Sequence, residues 1–250
     1  METVFSSLLQ FAAACLALAC AEAVYVVLGF GAGLIAVGTL ALIMPELRDV
    51  VVILLLVNLP AELFVVWRSW RHIQWREVAI IFVGIGVGIP IGAWILKAGD
   101  PSSLLTVLGV FLVCVGVVFL SGRVRPGRSM PRWTTPPVGL TSGLLTGLFG
   151  TGGPPLILYY QMTGVTKAAF RGHLMAIFLL MTAVRVPSYI ALELVTEPHL
   201  WSALAVLPAV LLGAVIGNSI HLRLSEQAFR RSVSVALVVL GILLLIRQVA

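Results

Sequence analysis

Long apolar runs broken by short polar ones organise the chain, at residues 4–30, 34–45, 50–67, 78–97, 103–120, 137–149, 154–163, 174–192, 200–220 and 232–246. A helix needs ~20 apolar residues to cross a bilayer, so the longer runs predict transmembrane helices. The runs at 34–45, 137–149 and 154–163 are too short to span alone. Each of them abuts a glycine cluster, either "GFGAG" (29–33) or "GTGG" (150–153). The pattern therefore predicts half-helices joined at a break rather than further full crossings. Within hydrocarbon, non-helical backbone is tolerated only where protein buries it or it lines a wet cavity.

The two breaks occupy equivalent places in two similar halves. "FGAG" (30–33) matches "FGTG" (149–152), "IGAWI" (91–95) matches "LGAVI" (212–216), and the runs 100–120 and 225–245 also correspond. The order is kept and the spacing grows slowly, as expected of a duplicated unit; chance matching of two glycine-rich apolar halves is the alternative. The division predicted is a first transmembrane repeat over 1–122, a basic connector over 123–136 and a second repeat over 137–250.

Composition sharpens the class. Of 250 residues, 60% are hydrophobic and 10% charged, against about a quarter charged in soluble domains. The fold class expected is an all-α polytopic membrane protein, each repeat holding a glycine-broken segment plus about three full spans. "METVFSSLLQ" carries an acid and no base, so the first run is read as mature protein and not as a cleavable signal. Cys15, Cys20 and Cys114 sit in apolar runs without metal-type spacing and read as small core residues.

The net charge of +6 fits topology better than nucleic-acid binding, because the bases lie between apolar runs. Arg68, Arg71 and Arg76, then Arg123, Arg125, Arg128 and Arg132, mark two cytoplasmic connections. "ELVTEPHLW" (193–201) has acids and no Lys or Arg and is placed outside. Run 50–67 then crosses inward and its mate 174–192 crosses outward, so the repeats are expected to be inverted. That is the plan of many secondary transporters, with a site where discontinuous helices meet. Trp67, Trp70, Trp75 and Trp133 gather at the cytoplasmic boundary, as interfacial anchors do.

Candidate chemistry centres on the breaks. The N–H groups and dipole at a half-helix start suit an anion. Pro154 and Pro155 have no N–H and are tolerated in a first helical turn, which leaves Thr151, Gly152 and Gly153 as donors. Gly31, Ala32 and Gly33 are their first-repeat counterparts. The alternative is that these glycines only let helices approach closely.

"GLFGTGGPPLILYY" (147–160) resembles the second-repeat signature of the TauE/SafE sulfite exporter family, and "GFGAGLIAVGTL" (29–40) resembles its first-repeat counterpart. Leu34 and Gly38 depart from that pattern, which has Gly and Pro there. The resemblance implies export of sulfite, thiosulfate or an organosulfonate such as sulfoacetate across a bacterial inner membrane.

Among intramembrane polar residues, Arg185 stands out, because an arginine in mid-span costs at least ~2.5–3.5 kcal/mol unless solvated or paired. It would counter an oxyanion's charge with bidentate donors; a structural pair with Glu62 or Glu22, or snorkelling to the interface, is the alternative. Pro187 nearby would loosen the helix. Asn58 and Glu62, four apart, share a face, and Asn58 joins the candidate substrate ligands. Glu62, Glu22 and His173 are coupling or gating candidates, with ion-pair and interfacial roles as the alternatives.

No His/Glu metal cluster or Ser–His pairing appears in the spans, so no enzyme activity, metal or cofactor is expected. The expected partners are the lipid bilayer and a small inorganic or organosulfur anion, not nucleic acid; homo-oligomerisation and proton or sodium coupling stay open. A membrane-embedded accessory or assembly protein, whose glycines serve packing alone, is the alternative function.

Overall fold

The structure is a computed structural model that describes residues 3–28, 32–69, 75–121, 132–163, 167–220 and 226–249. The described residues form ten α-helices and no strand. In order these are α1 (Leu8–Leu28), α2 (Ala32–Ile43), α3 (Leu47–Ser69), α4 (Trp75–Ala98), α5 (Pro101–Ser121), α6 (Thr135–Phe149), α7 (Gly153–Thr163), α8 (Lys167–Ala191), α9 (Glu197–Ile220) and α10 (Glu226–Val249). Five of them, α4, α5, α8, α9 and α10, contain segments long and apolar enough to cross a membrane. The helices overrun the apolar runs by a few residues, into segments such as Trp75–Arg76–Glu77. Backbone hydrogen bonding continues past the hydrocarbon edge, where polar side chains are again solvated.

Two compact units emerge, and neither follows the halves of the sequence. One comprises Met1–Val57, Gly99–Arg123 and Val195–Ala250, the other Asn58–Ala98 and Val124–Leu194. Each unit therefore draws helices from both halves.

In the first unit, α1 and α9 run parallel. A Cβ on Gly213 would lie 2.7 Å from Ala19 Cα, and one on Gly217 2.7 Å from Ala23 Cα. The register advances by four on both helices, so small residues let the backbones touch. By contrast α5 and α10 run antiparallel, because Gly109 packs on Gly241 while Gly116 packs on Ser234 and Val238. Helix α2 folds back along α1. Gln10 Nε2 donates to the Ile43 carbonyl at 3.1 Å, whereas one continuous helix would hold those residues about 50 Å apart at 1.5 Å per residue.

Polar bonds tie one end of this unit. Arg247 Nη1 donates to the Ala41 and Leu42 carbonyls at 3.0 and 3.1 Å. These are last-turn acceptors of α2 that a helix leaves unpaired. Arg48 donates to the Gly99 carbonyl. His199, in the first turn of α9, accepts the Thr196 N–H on Nδ1 at 3.2 Å, in the manner of a capping box. That leaves Nε2–H to donate to Asp49 Oδ1 at 3.1 Å.

In the second unit the main seam joins α4 and α6. Gly84, Gly88 and Gly92 lie against Gly139, Gly143 and Gly147, so close that any Cβ would fall on the facing backbone. Both glycine series advance by four in the same direction, so these helices are parallel. Outward from this seam, Ile80, Val83, Val87, Ile91 and Trp94 expose an apolar stripe on α4, suited to lipid.

The cysteines differ from the sequence expectation. Cys20 and Cys114 are exposed and Cys15 half-buried. Lipid tails are as apolar as a protein core, so an apolar position in a span does not mark the inside of the bundle. Trp75 and Trp133 are exposed near the N-terminal ends of the parallel helices α4 and α6, hence at one end of their unit. Trp67 and Trp70 lie outside the residues whose side chains are described.

Candidate functional site

The site is built on the hairpin of α6 and α7. Pro136 and Pro137 occupy the start of α6, where missing N–H groups cost nothing. The helix ends at Gly150, whose φ of 72° is left-handed and whose N–H donates to the Thr146 carbonyl. Glycine is the residue that takes this conformation without steric penalty. Three residues later, at Gly153, the chain starts α7 and runs back along α6. The Thr135 and Tyr159 hydroxyls meet at 3.0 Å although 24 residues separate them.

The turn is pinned to its own helix. Ser142 Oγ donates to the Gly152 carbonyl, and Thr146 Oγ1 donates to the Ser142 carbonyl at 2.8 Å and reaches Met181 Sδ on α8 at 3.3 Å. A Cβ on Gly152 would fall on Thr146 Oγ1 and the Ser142 carbonyl, while one on Gly153 would meet nothing nearer than Phe178 Cζ at 3.5 Å. Gly152 thus serves close approach, whereas Gly153 has room beside it. Ser142, Thr146 and Thr151 are all buried.

Arg185 comes to this turn from α8. It is 4% exposed, and its guanidinium packs on Gly150: a Cβ there would lie 2.8 Å from Nη2 and 3.2 Å from Nη1. Its Cζ sits 4.8 Å from the centroid of the Tyr189 ring, a cation–π distance. Tyr189 is fully buried and donates its hydroxyl to the Gly147 carbonyl at 2.8 Å. Helix α8 continues through Pro187. The guanidinium therefore lies at the C-terminal end of α6, where the helix dipole favours a cation. The N-terminal end of α7, with the opposite partial charge, starts across the same turn.

Of the residues singled out from sequence, Arg185 and the 151–153 turn come together. His173 is fully buried, its ring 5.4 Å from that of Tyr160 on α7. Asn58 is half-buried in α3 of the same unit. The side chain of Glu62 and the whole of Gly31 lie outside the described residues; of Ala32 only its place at the start of α2 is described, and Gly33 follows in that helix. Glu22 is buried in α1, in the other unit. Among the described residues no group of three or more His, Cys, Asp and Glu could hold a metal.

Ser142, Thr146 and Tyr189 were not singled out from sequence, and Gly150 was read only as part of the "GTGG" break. For Tyr189 a signal existed, since it follows Arg185 by four residues and so shares its helix face.

The family described as sulfite exporter TauE/SafE matches residues 14–244 of this chain. The chain belongs to that family. Its relatives include a probable inner membrane transporter protein TsaS from Comamonas testosteroni, 25% identical over 191 residues, covering 76% of this chain and 80% of that protein. A probable sulfite/organosulfonate exporter TauE from Cupriavidus necator is 30% identical over 166 residues, 64% of each chain. No solved structure matches the chain. The TauE/SafE family is one of membrane transporters rather than enzymes, and its match in this chain includes "GLFGTGGPPLILYY" (147–160), the hairpin on whose turn Arg185 packs.

Proposed function

We propose that this protein exports a small sulfur-containing anion, such as sulfite, thiosulfate or an organosulfonate like sulfoacetate, across a bacterial inner membrane by alternating access. The observation that carries the reading is the Arg185 guanidinium held against the Gly150 turn, inside an apolar helical unit. A buried cation is costly in a membrane, and bidentate N–H donors beside a helix start suit an oxyanion. Thr151 and Gly153 complete the donor set, with Asn58 as a further candidate ligand. Family membership points the same way, as do one relative described as an inner membrane transporter and another described as a sulfite/organosulfonate exporter.

Alternating access is favoured by how the helices pair. If the repeats covering 1–122 and 137–250 are inverted, α5 and its mate α10 must run antiparallel where they touch, and they do. The parallel pair α4 and α6 must then have a parallel counterpart in α9 and α1, which is also observed. The two hairpins are read as re-entrant segments, with the 123–136 connector cytoplasmic and residues 195–199 outside. Gly31, Ala32 and Gly33 are the matching half-site, and Glu62, Glu22 and His173 the coupling or gating candidates.

A role in packing alone suits the Gly84–Gly92 series and Gly152, which sits on the Ser142 carbonyl, but not Gly153, beside which the nearest atoms are side-chain ends. The test is flux in liposomes. Purified protein should move sulfite or a sulfonate, and Arg185→Ala should abolish movement while leaving the protein folded. Normal transport by that variant removes the charge-counter role; failure of a broad anion panel to move with the wild type removes the transporter reading. Cysteines placed at 195–199 should react with reagent added from outside only, and labelling from the cytoplasm alone would reverse the orientation.

A further inference from the structure

The geometry points to Tyr189 as the positioning residue that fixes how the Arg185 guanidinium is presented to the anion. This inference rests on the transport reading above and deepens it. Arg185 and Tyr189 lie one turn apart on α8, and the Tyr189 ring forms one wall of the guanidinium at 4.8 Å from Cζ. The Gly150 backbone forms another, close enough that a methyl group there would lie 2.8 Å from Nη2.

The Tyr189 hydroxyl completes the arrangement from a different helix. It donates to the Gly147 carbonyl at 2.8 Å, in the last turn of α6, where helix carbonyls lack intrahelical partners. One fully buried side chain therefore holds both the cation and the helix whose end forms the turn. Bidentate capture of an oxyanion depends on the plane of the guanidinium as well as its charge. A ring lying 4.8 Å from the guanidinium carbon and anchored to the hairpin sets that plane relative to the donors of Thr151 and Gly153.

The expectation differs from that of a purely structural tyrosine. Tyr189→Phe keeps the ring and loses the hydroxyl bond, and Tyr189→Leu loses both. Loss of the hydroxyl, which bonds the Gly147 carbonyl and also the Arg185 side chain, should raise the transport KM for sulfite or sulfoacetate about fivefold or more in Tyr189→Phe, with Vmax held within about twofold. Tyr189→Leu should raise KM further. In an Arg185→Lys background, Tyr189→Phe should leave KM unchanged, because an ammonium has no plane to orient.

Proteoliposome flux with graded anion concentrations measures all of these. A wild-type KM in Tyr189→Phe overturns the proposal. So does an equal rise in the lysine background, or a loss of Vmax and thermal stability with KM unmoved. If Tyr189→Leu does not fold, the phenylalanine series decides alone. If the wild type moves no anion, the transport reading itself falls, an outcome visible before any variant is compared.

Discussion

Two adjacent glycines in the α6–α7 turn should respond differently to the same methyl group. At Gly152 an added Cβ collides with the Ser142 carbonyl, which is backbone and cannot swing aside, and with Thr146 Oγ1. Relief requires the turn to lift from α6, breaking the Ser142 Oγ to Gly152 carbonyl bond. Overpacking of this kind costs about 1–3 kcal/mol, and the lost bond about 1 kcal/mol more. At Gly153 the nearest atoms are the ends of Phe178 and Ile157 side chains, at 3.5 and 3.6 Å, an ordinary contact, and Gly150 is the glycine with positive φ among the described residues. Gly153→Ala should stay within about 0.5 kcal/mol of wild type, as changes away from such clashes usually do. Thermal melting in detergent reads the difference. In a chain of this length, Gly152→Ala should lower Tm by about 5–15 °C, while Gly153→Ala should leave it nearly fixed. Equal melting of the two variants, or the lower Tm in Gly153→Ala, would refute the hairpin geometry.

Three further outcomes follow from other contacts. In α4, Gly88→Ala should lower Tm strongly because its Cβ meets the α6 backbone, whereas Gly86→Ala, with nothing within 4 Å, should be neutral. His199→Ala should cost about 1 kcal/mol by melting, the usual value of a helix cap. Arg247→Gln should speed amide hydrogen exchange at the end of α2, since the variant loses the charged donor to the Ala41 and Leu42 carbonyls.

The element pattern was legible because membrane helices announce themselves by length and apolarity. The breaks were legible because Gly150, Gly152, Pro154 and Pro155 interrupt such runs. The direction taken after the break was not. A "GTGG" turn serves a kinked crossing as well as a hairpin, and the choice is made by contacts such as Ser142 with Gly152 and Thr135 with Tyr159. The four-spaced glycines of α4 and α6 were each visible as a close-packing signal, yet nothing local says that they face one another. Arg185 stood out by its cost in hydrocarbon, while its seat on Gly150 depends on how α8 packs. The composition of the units, α4 with α6 and α1 with α9, is likewise a tertiary fact that crosses the sequence halves.

The seat of Arg185 also bears on which anion the turn accepts. A helix end carries about half an elementary charge, negative at the C-terminus and positive at the N-terminus. The end of α6 and the start of α7 meet across the same turn, so their contributions roughly cancel, and Arg185 brings one formal positive charge to it. On the transport reading, a monoanion such as a sulfonate or hydrogen sulfite is then neutralised on binding. A dianion such as sulfite or thiosulfate leaves about one negative charge in a low-dielectric site, where uncompensated charge is expensive. A singly charged sulfonate should therefore move without a co-ion, whereas a dianion should need a proton or a sodium ion to accompany it. Flux assays across a pH series separate the cases. Sulfite flux should fall as pH converts hydrogen sulfite to sulfite, while flux of a monosulfonate lacking a second acidic group stays flat. Equal flux of both charge forms of sulfite, without sodium, would show that more than one positive charge faces the anion and that the dipoles at the turn do not cancel.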